Sequence, residues 1–350
     1  METGTVKQRD KTMDIARGIA IMVMIMGHTE CAIPRFNFLV WYRAWHMPVF
    51  YVLSGYFFNG RDSDIRSYIA KTARQLLVPF AFWLAFDYLY YFLQTFDFGY
   101  IKDHLLTACF IWPTGCEGFP VARALWFLIA LFSLKAIYIV MTRLFTNEIV
   151  FYGMSAVFGF CGMGLAKFGM HLPLGLDAAL VGVPFMAVGE LLRKYGSRRF
   201  VKELMHMRWY VFVPVFVIVN WLFFYNGKVS FRGAYNSAYR NFALTYFNAI
   251  MGSILLFNIS GFISKKLTKI QGLRLIPAIC ATVGMNSIIY VCINQRIISL
   301  AQPVYSEFLN SRPGGTVVNM CITTVIVIFV GYIVMQIFAG NDKLKKFVGK

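Results

Sequence analysis

Apolar residues fall along this chain in ten runs of about 17–25 residues, the length an α-helix needs to cross a bilayer core. The runs lie near 13–30, 39–58, 74–95, 123–144, 148–168, 175–193, 209–225, 240–261, 275–299 and 316–338, separated by short polar links. The pattern predicts an all-α, polytopic membrane helical bundle of about ten transmembrane helices. It reads as a single domain over 1–350, with short tails at 1–12 and 339–350. An even number of spans puts both termini on one side. The first run lacks a small-residue cleavage site and leads directly into the second, so it reads as a mature helix rather than a signal peptide. The longest link, about 96–122, carries Asp97, Asp103, His104, Trp112 and Glu117 and is expected to be a lid or a re-entrant element. No soluble domain, internal repeat or low-complexity tract interrupts the pattern.

Composition agrees. Of 350 residues, 58% are hydrophobic and 14% charged, against about 25% charged in a soluble domain. The net charge of +18 would suggest nucleic acid in a soluble protein. Here the Lys and Arg residues sit in the links, which excludes nucleic acid as the expected partner and makes the bilayer the relevant surroundings. With the N-terminus inside, twenty-two of them fall in inner segments and ten in outer ones, Arg43, Arg123, Lys167 and Arg296 among the ten. The positive-inside rule therefore favours an N-in, C-in arrangement. The seven cysteines are scattered and form no CxxC pair. Cys109 and Cys116 are spaced to allow a disulfide in the long link, but small apolar packing residues is the simpler reading.

A few ionisable groups inside the apolar runs change the picture, because such groups are costly in hydrocarbon. Arg17 and His28 are eleven residues apart, which on one helix puts them within about 20° of a common face and about 16 Å apart along the axis. Asp14 lies one turn before Arg17 and can pair with it. His28 and His46 flank the 31–38 link, so both belong to the outer half. Taken singly, Arg17 and His28 are explained by snorkelling to the two interfaces. The set is harder to dismiss: Gly27 permits close approach beside His28, His46-Met47-Pro48 opens the second run, and Ser54-Gly55 closes it near a basic link. Lys71 and Arg74 are read either as topology determinants or as ligands for an anion. Trp126 fits an interfacial belt or a sugar platform. Asp177, within an apolar run, is a functional or network candidate. Asn286 and Ser287 fit polar ties between helices, and Glu190, beside Arg193 and Lys194, fits a helix end.

The chain resembles the acyltransferase-3 membrane family. The likeness lies in Asp14-x-x-Arg17-Gly18, Gly27-His28-Thr29, His46-Met47-Pro48-x-Phe50 and Leu53-Ser54-Gly55-Tyr56-Phe57. It continues in Lys71-x-x-Arg74 with Leu77-Val78-Pro79-Phe80, in Leu125-Trp126-Phe127-Leu128, in Asp177 to Phe185 with Gly189, and in Gly284-x-Asn286-Ser287. The His-Met-Pro form is most similar to the fucose 4-O-acetylase-like branch. The resemblance implies an integral-membrane O-acyltransferase of a bacterial cytoplasmic membrane. It would take an acyl group, usually acetyl, from cytoplasmic acyl-CoA to a hydroxyl of an extracytoplasmic or lipid-linked glycan, with no metal. It further implies that the essential histidine is His28 and the essential arginine Arg17, and that the basic pair is Lys71 and Arg74, with Lys in place of the first arginine usually seen. One departure stands out: where relatives often carry a histidine after the Gly-x-Asn-Ser piece, Asn294 is the nearest polar residue.

The residue types suit that chemistry. Acyl transfer to a hydroxyl needs a base, and imidazole serves near neutral pH. His28 is the expected base or a transient acyl carrier, with His46 as orienting group, second acid–base or substrate ligand. Arg17, Lys71 and Arg74 offer cations for the phosphates of acetyl-CoA. The span from Arg17 to His28 compares with the reach of an extended pantetheine arm. The alternative, a transporter or flippase for a lipid-linked sugar, would be expected to show two related halves with paired interrupted helices. Here the chemistry-bearing residues concentrate near the N-terminus.

Overall fold

All ten apolar runs are helical in the computed structural model, which describes residues 10–31, 33, 36–111, 119, 123–231 and 238–349. Trp112, Cys116 and Glu117 of the long link lie outside the described residues, as do Lys7, Arg9, Arg35, Arg232 and Lys350 of the charge pattern. The helices in chain order are α1 (Lys11–His28), α2 (Phe38–Arg43), α3 (His46–Tyr56), α4 (Ile65–Thr95), α5 (Phe98–Phe110), α6 (Trp126–Leu144) and α7 (Glu148–Lys167). They continue as α8 (Leu176–Lys194), α9 (Arg199–Met205), α10 (Trp209–Asn226), α11 (Phe242–Lys266), α12 (Leu275–Met285), α13 (Ser287–Asn310) and α14 (Gly315–Ala339). A two-residue ribbon, Gly227–Lys228 against Ala238–Tyr239, follows α10.

Among the described residues, seven helical segments are long and apolar enough to cross a membrane alone, and α12 with α13 makes an eighth if that bent pair counts as one span. The count of ten is not reached on this measure, and the two shortfalls have physical causes. The 18 residues of α1 include Lys11, Asp14 and Arg17, three charges in one span's length. The second run breaks into α2 and α3, of 6 and 11 residues. In a continuous helix Pro48 would have no N–H for the carbonyl of Ala44 and its ring would strike that carbonyl. The chain turns there instead, with Trp45 at φ −139°. A second break divides α12 from α13 at Asn286, where the axes bend by 94°.

α1 lies at the centre, packed on α3, α11, α12, α13 and α14. Its contact with α12 is backbone on backbone: a Cβ on Gly18 would overlap the Cys280 carbonyl, and one on Gly284 would overlap the Asp14 carbonyl. Gly55 and Gly189 do the same for α3 and α8. Small residues allow this approach, and dispersion over the closely spaced backbones holds the bundle where lipid removes the usual hydrophobic drive.

Arg296, counted among the outer link charges, is buried inside α13. Its Nε donates to Asp87 of α4 at 2.8 Å and its Nη2 to the Trp83 carbonyl at 2.6 Å. It is a clasp between helices rather than a topology determinant. Glu190 also has a larger part than marking a helix end: buried in α8, it accepts from Arg61 and from the Tyr138 hydroxyl. With Arg143 donating to the Gly60, Arg61 and Ser63 carbonyls, it pins the link after α3. Part of the long link is the helix α5, capped by Asp97, with His104 stacked on Tyr100 at 4.2 Å.

Candidate functional site

The break that starts α3 at His46 brings its imidazole to face the last turn of α1. Tyr42, at the end of α2, sits between them. Its ring lies against Gly27, where any Cβ would overlap it, and its centroid is 4.6 Å from that of His46, with the two planes inclined by 52°. The His46 Nδ1 is 2.8 Å from the Tyr42 carbonyl oxygen. A carbonyl only accepts, so Nδ1 carries the proton and Nε2 keeps the lone pair. His28 is held from α13. Gln295 accepts from the Ala124 N–H at 2.7 Å, which turns its amide nitrogen toward His28 Nδ1 at 3.5 Å. That contact is long, but it sets the neutral His28 with its lone pair toward Gln295 and its N–H at Nε2. Gln302 on the same helix donates to the Thr29 carbonyl at 2.8 Å, fixing the register of α13 on the end of α1.

Both histidines line one cavity of about 300 Å³, together with Arg43, Trp126, Ser230 and Phe231. The short ribbon after α10 carries Ser230 and Phe231 to this wall. A second cavity of about 220 Å³ is lined by Arg17, Ser54, Gln75, Lys135 and Ser287. Phe50, Phe127 and Val291 belong to the walls of both, so the two cavities abut across these three side chains. Arg17 and His28, on one continuous helix, open onto different cavities. Asp14 is buried and stands 4.0 Å from Arg17, whose guanidinium also lies 5.7 Å from the Phe57 ring. The C-terminal segment folds against the second cavity: Trp83 donates to the Phe347 carbonyl at 3.0 Å, and Gly349 lines the cavity wall.

The structure therefore gathers His28, His46 and Trp126 in one chamber and Arg17, Ser54 and Ser287 in the adjoining one. Other sequence candidates lie elsewhere. Lys71 and Arg74 are exposed on α4, with Arg74 in a shallow groove beside Phe347. Asp177 pairs with His171 at 3.3 Å at the start of α8. Asn286 sits at the α12–α13 bend, donating to the Thr282 carbonyl at 2.8 Å. Asn294 is buried and donates to the Tyr290 and Val291 carbonyls, so the polar side chain that reaches His28 from this region is its neighbour Gln295.

Two cations escape a reading of the apolar pattern. Lys135, in the middle of α6, lines the Arg17 cavity and has no hydrogen bond or ion pair among the described residues; the charges that act on it are the cations Arg17 and Lys71. Its signal in the sequence is the bare lysine inside Leu134-Lys135-Ala136-Ile137, expensive in a membrane unless something anionic meets it. Arg43 looks like one more link charge, yet it lines the histidine cavity.

A family model described as an acyltransferase domain (acyltransferase-3) matches residues 10–336. The nodulation protein NolL of Sinorhizobium fredii is 35% identical over 88 residues, covering 22% of this chain and 24% of NolL. The chain thus spans 24% of the length of that curated relative. No solved structure matches.

Proposed function

We propose, because this chain belongs to the acyltransferase-3 family through residues 10–336, that it moves an acyl group, most simply acetyl, from CoA to a hydroxyl of a glycan or lipid-linked sugar. The observation that carries the reading is the pair of abutting cavities, one cationic and one with two imidazoles. Arg17 and Lys135 receive CoA phosphate groups from the N-terminal, cytoplasmic side. The pantetheine arm passes Phe50 and Phe127, so that the thioester carbonyl reaches His28 and His46. Lys71 and Arg74, outside the cavity, act as an electrostatic approach for the donor.

The acceptor hydroxyl enters the histidine chamber. As its oxygen attacks the thioester carbonyl, its proton passes to an imidazole. The new C–O bond forms, the C–S bond breaks, and the CoA thiolate takes the proton back from the imidazolium. The hydrogen bonds divide the work. His46 offers the free Nε2 lone pair of a base oriented by a backbone carbonyl. His28, expected from the family pattern as the base, offers an N–H toward the carbonyl oxygen where negative charge develops, and the His46 imidazolium returns its proton to the leaving thiolate.

Purified protein in vesicles, given acetyl-CoA and cell-envelope glycans, tests this by thiol release and by mass spectrometry of the glycans. His28→Ala and His46→Ala should each lower transfer by about 10²-fold or more, as removal of an acid–base group does. Transfer within a few-fold of the parent in a folded His28→Ala protein sinks the reading. Unchanged acylation with trapped precursor in cells lacking the gene would point to transport instead.

A further inference from the structure

Each cavity holds a cation with no carboxylate partner among the described residues: donor phosphates account for Lys135, but transfer to a neutral sugar does not account for Arg43. Two other cations in the bundle have carboxylates. Arg296 has Asp87 at 2.8 Å and Arg17 has Asp14 at 4.0 Å. Among the described residues Arg43 has only the Tyr42 hydroxyl, 3.4 Å from its Nε, with its guanidinium 6.0 Å from the same ring. It is half-buried, and no Asp or Glu is among the described residues lining its cavity. A guanidinium is a permanent cation that only donates, in a fork matched to two oxygens of one anion. The indole of Trp126 adds another donor, and neutral hydroxyls would find few acceptors on these walls.

We infer that the histidine chamber takes an acceptor carrying an oxyanion, a carboxylate of an acidic sugar or a phosphate of a lipid-linked one, and that Arg43 binds it. Lys135 in the adjoining cavity is the corresponding unpaired cation for the donor. Each chamber is thus completed electrostatically by its own substrate, and an unfilled chamber leaves a charge whose desolvation is not offset. Arg43 also sets orientation: an anion held by a two-pronged donor presents a neighbouring hydroxyl to the imidazoles in one register, which makes it a specificity determinant.

The inference rests on the transfer reading only in calling the ligand an acceptor, and the test separates the two. Full-length protein in detergent is titrated with glucuronate, glucose 1-phosphate and glucose, following thermal stability, with CoA titrated in parallel. Glucuronate or glucose 1-phosphate should stabilise the protein at concentrations about tenfold below those of glucose, the scale of one charge-assisted contact. Whichever of the two acts identifies carboxylate or phosphate. Arg43→Gln should erase the difference while CoA still binds, and Arg43→Lys should keep part of it. Equal responses to all three sugars, no response to any, or a preference that survives Arg43→Gln overturns the inference. So does an Arg43→Gln protein that slows transfer to every acceptor alike without changing the titrations, since that would make Arg43 an oxyanion stabiliser. Failure of CoA to bind the parent protein would instead tell against the transfer reading.

Discussion

Arg296 and Lys135 carry the same charge inside apolar helices, and their surroundings give them different work. Arg296 is enclosed by Asp87, the Trp83 carbonyl and the Trp83 and Phe86 rings, so its charge is neutralised and its donors are filled. Breaking that pair should be expensive because the surviving partner stays buried. Asp87→Ala is expected to cost about 3–5 kcal/mol, seen as a large fall in the unfolding temperature in detergent. The apolar double variant Asp87→Leu with Arg296→Met should recover most of the loss, and no recovery would mean the pair does more than neutralise itself. Lys135 has no such enclosure, which is why it reads as a ligand group. At this scale the sequence is informative for His28, His46 and Arg17, whose spacing and residue types announce them. It is silent on Gln295 and Arg43, because nothing in a linear pattern says that residue 295 meets residue 28 or that a link arginine turns into a cavity.

Helix breaks and helix contacts place the site. Without the interruption before Pro48, His46 would continue the course of α2 and would not face α1. The contact of α1 with α12 has no slack, since Gly284 meets the Asp14 carbonyl and Gly18 meets the Cys280 carbonyl. Gly284→Val is therefore expected to abolish the folded fraction in fluorescence-detected size-exclusion chromatography. Gly153→Ala, at a helical position facing open space, should be neutral or stabilise by about 0.5–1 kcal/mol. A normal elution profile for Gly284→Val would show that the two helices can separate. The helical runs themselves are legible from hydropathy, because hydrocarbon forces backbone groups to pair locally. The breaks are less so: Pro48 hints at one, whereas the 94° bend at Asn286 depends on what α13 packs against.

For the molecule as a whole, the two cavities meet end to end along α1, and the proposed reaction needs them open to opposite sides. Ser54→Cys and Ala124→Cys test this with a membrane-impermeant thiol reagent, applied to inverted vesicles and to intact cells. Ser54→Cys should react from the cytoplasmic side and be protected by CoA, and Ala124→Cys should react from the other side. Reaction of both from one face would refute the path. By itself the sequence determined the membrane class, the helical runs and the family, and it marked His28, His46 and Arg17 as candidates. Each of these follows from local composition, from spacing along one helix, or from motifs read in order. Only the tertiary structure decided that Arg17 and His28 open onto separate, abutting cavities, that Gln295 and Tyr42 fix the two imidazoles, and that Lys135 and Arg43 stand without counter-charges among the described residues. Burial, pairing and cavity walls are made by residues far apart in the chain, and their energies do not exist until the helices pack.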